Sequence, residues 1–477
     1  MFFIKEFILL AIAASFIEGR RRFEIRDETR KSLSDTSKKN FDDTVIGLER
    51  LNRIQRRLMR LKDRNETDDL NSEVTVESPM ENLDLYEGDI MLTGNQVDEI
   101  VNGLVKQAEE KKIDVSDIES RARKPKRGKR SISSSLNNMW TFPIPYYVDT
   151  GVNATLVTAA LKGIESETCI RFTKSATPIT GKPGLRYYKG TGCWSYIGRI
   201  YTNASQEVSI GQGCGLNAII QHETAHALGV YHEQSRPDRY LYVTIKTEDI
   251  IAGKESNFAG SIPGYVNEYG IPYDFGSVMH YGRFSFSKNG NQTIVAIDGK
   301  YDKTMGQRKK LSFNDIKLIN FKYCNSTCPS TSISCKNGGY LDPNNCARCK
   351  CPLNFYGTYC QNYVTSPSTT CGNQMLTANT TLQFLTITGA LNCYFVINTT
   401  PGYVIRLNLI STSLVNNDPC FSGKGLEIKH KTDKTATGIN ICGVNSYRIF
   451  YSESDSVLIH YVGTTATDSF TLTYIRY

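Results

Sequence analysis

All fourteen cysteines of this 477-residue chain lie at or after Cys169. An even number of cysteines confined to the later part of a chain predicts disulfide-bonded domains behind a cysteine-free leader. The length calls for several cores rather than one. The N-terminus agrees with an oxidising compartment: Lys5 precedes the apolar run 7–14, which is too short to span a bilayer. Residues 1–19 therefore read as a signal peptide, and the protein as secreted and extracellular. No later segment is long and apolar enough to cross a membrane, so no membrane span is expected. Asn-x-Ser/Thr acceptors for glycans occur at Asn65, Asn153, Asn203, Asn291, Asn325, Asn379 and Asn398.

Three of only six histidines fall within eleven residues, in the run HETAHALGVYHE at 222–233. His222 and His226 are four apart, so on a helix they share one face and can hold one tetrahedral metal. Glu223 can lie beside that metal without binding it, where a general base sits. Gly229 can take a positive φ and end the helix, letting the chain return with His232 as a third nitrogen ligand. Three protein ligands leave one coordination position open, which marks a catalytic rather than a structural zinc site. A chance H-E-x-x-H on an ordinary helix is the plain alternative; the extension through Gly229 and His232 argues against it.

Residues downstream narrow the reading. Ser277-Val278-Met279-His280-Tyr281 resembles the Met-turn of the metzincins, zinc peptidases with the signature H-E-x-x-H-x-x-G-x-x-H. Glu233 directly after the third histidine, Gln234-Ser235-Arg236-Pro237-Asp238-Arg239 and the Tyr two residues past Met279 resemble the astacin family in particular. So do Cys193-Trp194-Ser195-Tyr196-Ile197-Gly198-Arg199, Tyr273-Asp274-Phe275, Gly306-Gln307-Arg308, Ser312, Asp315, Asn320 and Tyr323-Cys324. The resemblance covers 131–324. It implies an α+β zincin (metzincin) domain, with a sheet-bearing half, a more irregular half and a substrate cleft between. It also implies one Zn2+ per chain, Glu223 as base and Tyr281 as a phenol that ligates zinc at rest and swings to stabilise the oxyanion. Met279 would be an apolar floor under the histidines, and His280 a structural hydrogen-bonding residue.

The leader, 20–130, reads as a propeptide. Leu48, Leu51, Ile54, Leu58 and Leu61 recur at helical spacing. Tyr86-Glu87-Gly88-Asp89 resembles the F-x-G-D motif of astacin propeptides, with Tyr in place of Phe. The resemblance implies that Asp89 occupies the open zinc position in the zymogen. Seven basic residues crowd 121–130, a run that could otherwise suggest nucleic acid. The signal peptide argues against a nucleic-acid partner, and residues 1–130 balance 26 basic against 26 acidic side chains. The run ends in Arg127-Gly128-Lys129-Arg130, which resembles the site of a furin-like convertase. Cleavage after Arg130 would free Ser131, whose ammonium in astacins approaches the acid that is Glu233 here.

Beyond 324, the cysteine spacing and the glycines of 325–361 resemble an EGF-like module, and 371–477 shows the short alternating stretches of a β-sandwich and resembles a CUB domain. By resemblance the pairs are Cys169–Cys324, Cys193–Cys214, Cys328–Cys346, Cys335–Cys349, Cys351–Cys360, Cys371–Cys393 and Cys420–Cys442. Many CUB domains hold calcium through acids, but Lys424 and Gly463-Thr464 stand where such acids are often found, which argues against calcium. His430 and His460 read as ordinary sheet residues. The whole predicts a secreted zinc endopeptidase made as a zymogen, acting on protein or peptide substrates, extracellular matrix among them. The rival reading is a catalytically silent scaffold that binds partners through its CUB domain. Retention of Glu223, Tyr281 and all three histidines argues for the enzyme.

Overall fold

The computed structural model describes residues 20–61, 73–74, 78–120, 139–261, 266–328 and 333–477. The expected signal peptide, Asn65, the basic run with Arg130, and Ser131 lie outside the described residues.

The leader is helical. Its longest helix, Asp35–Leu58, begins where the Ser34 side chain accepts from the Ser37 N–H. Such a cap satisfies one of the amide donors a helix start leaves open. Leu48, Leu51 and Ile54 are buried as their spacing predicts. Leu61 lies beyond the helix, because Arg60 turns left-handed at φ 58°. A second helix, Gly94–Glu110, starts in a capping box formed by Thr93 and Gln96. It crosses the first at Gly47, where a Cβ would lie 2.2 Å from a Val97 methyl.

Between these helices the leader contributes the two-residue strand Ile90–Met91 to a six-stranded sheet. The strand order is Ile90–Met91, Cys193–Tyr196, Ser205–Ile210, Gly184–Tyr188, Ile144–Val148 and Phe172–Lys174. Cys193–Tyr196 runs antiparallel to Ser205–Ile210, and every other pairing is parallel. Ala154–Glu167 and Asn217–Ala227 pack on this sheet through Val157, Leu161, Ile164, Ile219 and Ile220 against Ile144, Leu185, Tyr187 and Val208. Parallel strands need such helical cover. After Ala227 the chain becomes irregular, with short 3₁₀ turns and the pair Val243–Ile245 with Ile294–Ala296. The helix Phe313–Tyr323 closes this half.

Cys324 at the end of that helix is bonded to Cys169, 155 residues away. A loop of that length gives the bond a large hold on the unfolded chain, roughly 5 kcal/mol on chain-entropy grounds. Cys169→Ser with Cys324→Ser should therefore lower the unfolding free energy of this unit by an amount approaching that figure, read as a lower urea midpoint. An unchanged midpoint would show that the ends of this unit are held by packing alone.

Residues 333–363 form two small hairpins, Tyr340–Asp342 with Asn345–Lys350 and Phe355–Tyr356 with Asn362–Tyr363. Three disulfides staple this region: Cys328–Cys346, Cys335–Cys349 and Cys351–Cys360. A unit this small has little apolar surface to bury and depends on such staples. The C-terminal part is a sandwich of a five-stranded and a four-stranded sheet, with Cys371–Cys393 and Cys420–Cys442 bonded. The protein is thus multidomain, an α+β unit followed by a disulfide-rich module and a β-sandwich, in line with the fold class read from the sequence. Asn153, Asn203, Asn291, Asn325 and Asn379 are exposed, and Asn398 is half-buried at the end of a strand. Among the described residues no helix is long and apolar enough to cross a membrane.

Candidate metal centre

The helix Asn217–Ala227 is buried on every side from Ala218 onward. Gly229 ends it with φ 83°. A side chain there would be strained, and a Cβ would lie 2.2 Å from the Lys322 ammonium. The last carbonyls of this turn find donors: Tyr323 Oη to Leu228 O at 2.9 Å and Lys322 Nζ to Gly229 O at 3.0 Å. The chain then reverses and brings His232 back under the helix.

His222, His226, His232 and Asp89 present one ligand atom each, all within 4.8 Å of one another and all buried. His222 Nε2 lies 3.0 Å from His226 Nε2 and 3.0 Å from Asp89 Oδ2. His232 Nε2 is 3.2 Å from Asp89 Oδ2, and His226 Nε2 is 3.4 Å from Asp89 Oδ1. The outer ring nitrogens define the tautomers. His222 Nδ1 donates to Val278 O at 2.9 Å, His226 Nδ1 to Val230 O at 2.8 Å and His232 Nδ1 to Glu87 Oε2 at 2.7 Å. With each Nδ1 turned outward to an acceptor, three Nε2 atoms and a carboxylate face one another at one buried point. Such a set is repulsive unless a cation sits at its centre, and N3O donors of this kind suit zinc. Burial pushes His222 down to about 3 and so keeps its Nε2 free of a proton, while at His232 burial is outweighed by the Asp89 and Glu87 carboxylates, which raise it to about 9 and draw positive charge to this side of the cluster. The donor set therefore fits the zinc that the motif implies.

Glu223 points both carboxylate oxygens into the buried site, and neither has a hydrogen-bond partner among the described residues. Burial, and then the neighbouring Asp89, push its pKa well above the ordinary carboxylate range. A buried carboxyl without a partner is costly and poised to hold a proton. The Tyr281 hydroxyl donates to the Glu87 carbonyl at 2.5 Å, and its ring lies 4.8 Å from that of His232. Met279 is buried in the same apolar cluster as Ile219, Ile220 and Ala225 of the helix that carries His222 and His226. His280 is held by Tyr273 Oη and by Tyr281 O, both at 2.7 Å, and is not in the cluster. His460 bonds Asn392, and His430 bonds Tyr451 O.

Glu233 accepts from Arg236 Nη1 at 3.2 Å and from the Asp274 N–H at 2.7 Å. Burial still outweighs the guanidinium and pushes its carboxyl up to about 8. Its expected partner, the Ser131 ammonium, lies outside the described residues.

Two contacts were not anticipated from the sequence. Glu87 grips the outer nitrogen of His232 and accepts from Ser235 Oγ at 2.7 Å, while its own φ is 47°. It thus acts as the carboxylate that orients one histidine of the cluster through its outer nitrogen. Its position beside Asp89 in an acid-Gly-acid run was the available signal. Arg236 is the other: as the cation that pairs with buried Glu233 among the described residues, it could have been read from the need of such an acid for a partner.

Comparison with known proteins gives a consistent picture. The family model for astacin, a family of peptidases, matches residues 132–324. Zinc metalloproteinase nas-34 of Caenorhabditis elegans is 38% identical over 467 residues, covering 97% of this chain and 73% of that protein. Zinc metalloproteinase nas-37 of the same organism is 36% identical over 414 residues, 84% of this chain, which spans only half of that relative. Among solved structures, high choriolytic enzyme 1, a hatching enzyme zinc-protease of Oryzias latipes, is 35% identical, with a TM-score of 0.35, over 40% of this chain and 96% of its own.

Proposed function

The chain belongs to the astacin family of zinc metallopeptidases, and we propose that it is a secreted endopeptidase of extracellular proteins, held latent by Asp89 of its own leader. The reading rests above all on the three histidines and one carboxylate that converge on a single buried point, the carboxylate contributed by the leader. His222, His226 and His232 would hold zinc, which when bound would supply Lewis acidity to polarise the scissile carbonyl and to make water easier to deprotonate. Glu223, with both oxygens free of other partners, takes the proton of the attacking water and returns it to the departing amine. Once the leader withdraws, Tyr281 loses its bond to the Glu87 carbonyl and its phenol turns to the developing oxyanion. Cutting after Arg130 by a furin-like convertase frees the Ser131 ammonium, a second cation for Glu233 beside Arg236.

The test is cleavage of a peptide library by protein cut after Arg130, with a chelator abolishing activity and stoichiometric zinc restoring it. Absence of any cleavage by the cut, zinc-loaded chain would overturn the reading. Tyr281→Phe in the cut protein should lower kcat by about 10²–10³-fold with KM little changed, since this donor acts in the transition state. Steady-state kinetics on a short fluorogenic peptide checks this; an effect carried wholly by KM would assign Tyr281 to substrate binding instead.

A further inference from the structure

The C-terminal sandwich is seated directly on the segment that carries the Met-turn. The Thr437 N–H donates to Asp274 Oδ1 at 3.0 Å, across 163 residues of sequence. Asp274 is 1% exposed, and the same oxygen accepts from the Gly276 N–H at 2.9 Å. A Cβ at Gly276 would lie 2.4 Å from Thr437 Oγ1 and 2.5 Å from its Cβ. The Thr437 side chain therefore packs directly on the Gly276 backbone and leaves no room for a side chain there. Around this point the seam is specific. Gln307 Nε2 donates to Cys420 O at 2.7 Å, its Oε1 accepts from the Ser422 N–H at 3.0 Å, and the Asn440 N–H donates to Thr304 Oγ1 at 3.0 Å. Tyr273, Phe275, Tyr301 and Met305 belong to one buried apolar cluster with Leu426, Ile428, Ile439 and Ile441 of the sandwich.

From Asp274 the path to the ligands is short. Its N–H donates to Glu233 Oε1, the residue after His232, and its carbonyl accepts from the Ser277 N–H at 3.0 Å. Further along the turn, Val278 O orients His222 through Nδ1, and Met279 O accepts from the Glu233 N–H at 3.0 Å. On its far side the turn is pinned by Asp315, which accepts from Ser277 Oγ at 2.6 Å and from the Val278 N–H at 3.1 Å. The turn under the histidines is thus clamped between a helix of its own domain and a loop of the sandwich. A tether that merely recruited substrate would require none of this.

We propose that the sandwich is a structural part of the catalytic unit: through Thr437 on Asp274 it positions the Met-turn and the Glu233 pocket, so that turnover of even a short peptide depends on its docking. Thr437 and Asp274 are positioning residues, acting through the backbone that holds His222 and Glu233. The inference rests on the peptidase reading above.

The experiment compares full-length cut protein with Gly276→Ala and with Gly276→Ala/Thr437→Gly on a short fluorogenic peptide. Gly276→Ala should force the two backbones apart and lower kcat about tenfold or more, with KM within about twofold and zinc content unchanged. The double variant removes the obstructing side chain and should recover kcat to within about twofold. Recovery by a change in another domain is what general destabilisation would not produce. If Gly276→Ala is not secreted, Thr437→Pro is read in the same assay, because it deletes the donated N–H and leaves the catalytic sequence intact; it should show the same loss in kcat. Wild-type kcat in Gly276→Ala or Thr437→Pro, or a loss that Thr437→Gly does not recover, overturns the proposal. An inactive wild-type chain would instead overturn the peptidase reading, so the two failures are distinct.

Discussion

Glu223→Gln in the cut protein should keep about one zinc per chain and lose about 10²–10⁴-fold in kcat, the range a positioned general base contributes. The substitution is close to isosteric, and the three histidines and their Nδ1 acceptors are untouched. Metal and packing should therefore survive. Stability should not fall either, because neither oxygen of the acid it replaces holds a hydrogen bond, and in the uncut chain, where the leader sits over the site, that acid is also fully buried. Exchanging a buried, unpaired acid for a neutral amide removes a desolvation cost rather than an interaction. The expected signature is thus an inactive protein with an undiminished unfolding midpoint and full zinc by elemental analysis. His226→Ala should behave in the opposite way, losing zinc first and activity as a consequence. If Glu223→Gln retained more than about a tenth of wild-type turnover, the base would have to be sought elsewhere. If it lost zinc, Glu223 would be a support of the site rather than a participant in proton transfer.

What could be read from the sequence is what local geometry determines. The spacing of His222 and His226 needs only helical periodicity, and the turn at Gly229 needs only a residue that tolerates φ 83°. The sandwich could be read from alternation in stretches such as Phe470–Tyr474 within Ser469–Arg476, which are long enough to show a period. The strand Ile90–Met91 could not, since two residues have no periodicity, and only the neighbouring Cys193–Tyr196 edge makes it a strand. Leu61 extended an apolar repeat past the true end of its helix, because the repeat carries no stop signal. The grip of Glu87 on His232 spans 145 residues, and that of Thr437 on Asp274 spans 163. Neither leaves a local trace, because an acid beside a glycine or a threonine in a loop is compatible with many surroundings.

The uncut Asp89→Ala protein should hydrolyse short peptides faster than uncut wild type, by about 10–100-fold. That is the scale on which a charge-assisted contact of a few kcal/mol holds a site closed. Asp89 stands within 3.4 Å of all three histidine Nε2 atoms, so its removal opens the position it fills. Activity should still fall well short of the cut enzyme, for reasons the leader makes explicit. Glu87 would continue to hold His232 Nδ1 and Ser235, and its carbonyl would continue to occupy the Tyr281 hydroxyl. The leader would also stay docked, through the ion pair of Arg56 with buried Glu255 at 2.5 Å and through Lys254 Nζ on Leu83 O at 2.5 Å. Adding Glu87→Ala leaves that carbonyl in place and should therefore not bring the uncut protein to the level of the cut enzyme, and Arg130→Ala in the wild-type background should be secreted and latent. The assay is initial rates on a peptide small enough to enter the cleft past the leader, with zinc content measured in parallel. If uncut Asp89→Ala with full zinc is as silent as uncut wild type, latency lies in steric closure of the cleft by the leader. Asp89 would then be a turn residue that happens to face the histidines.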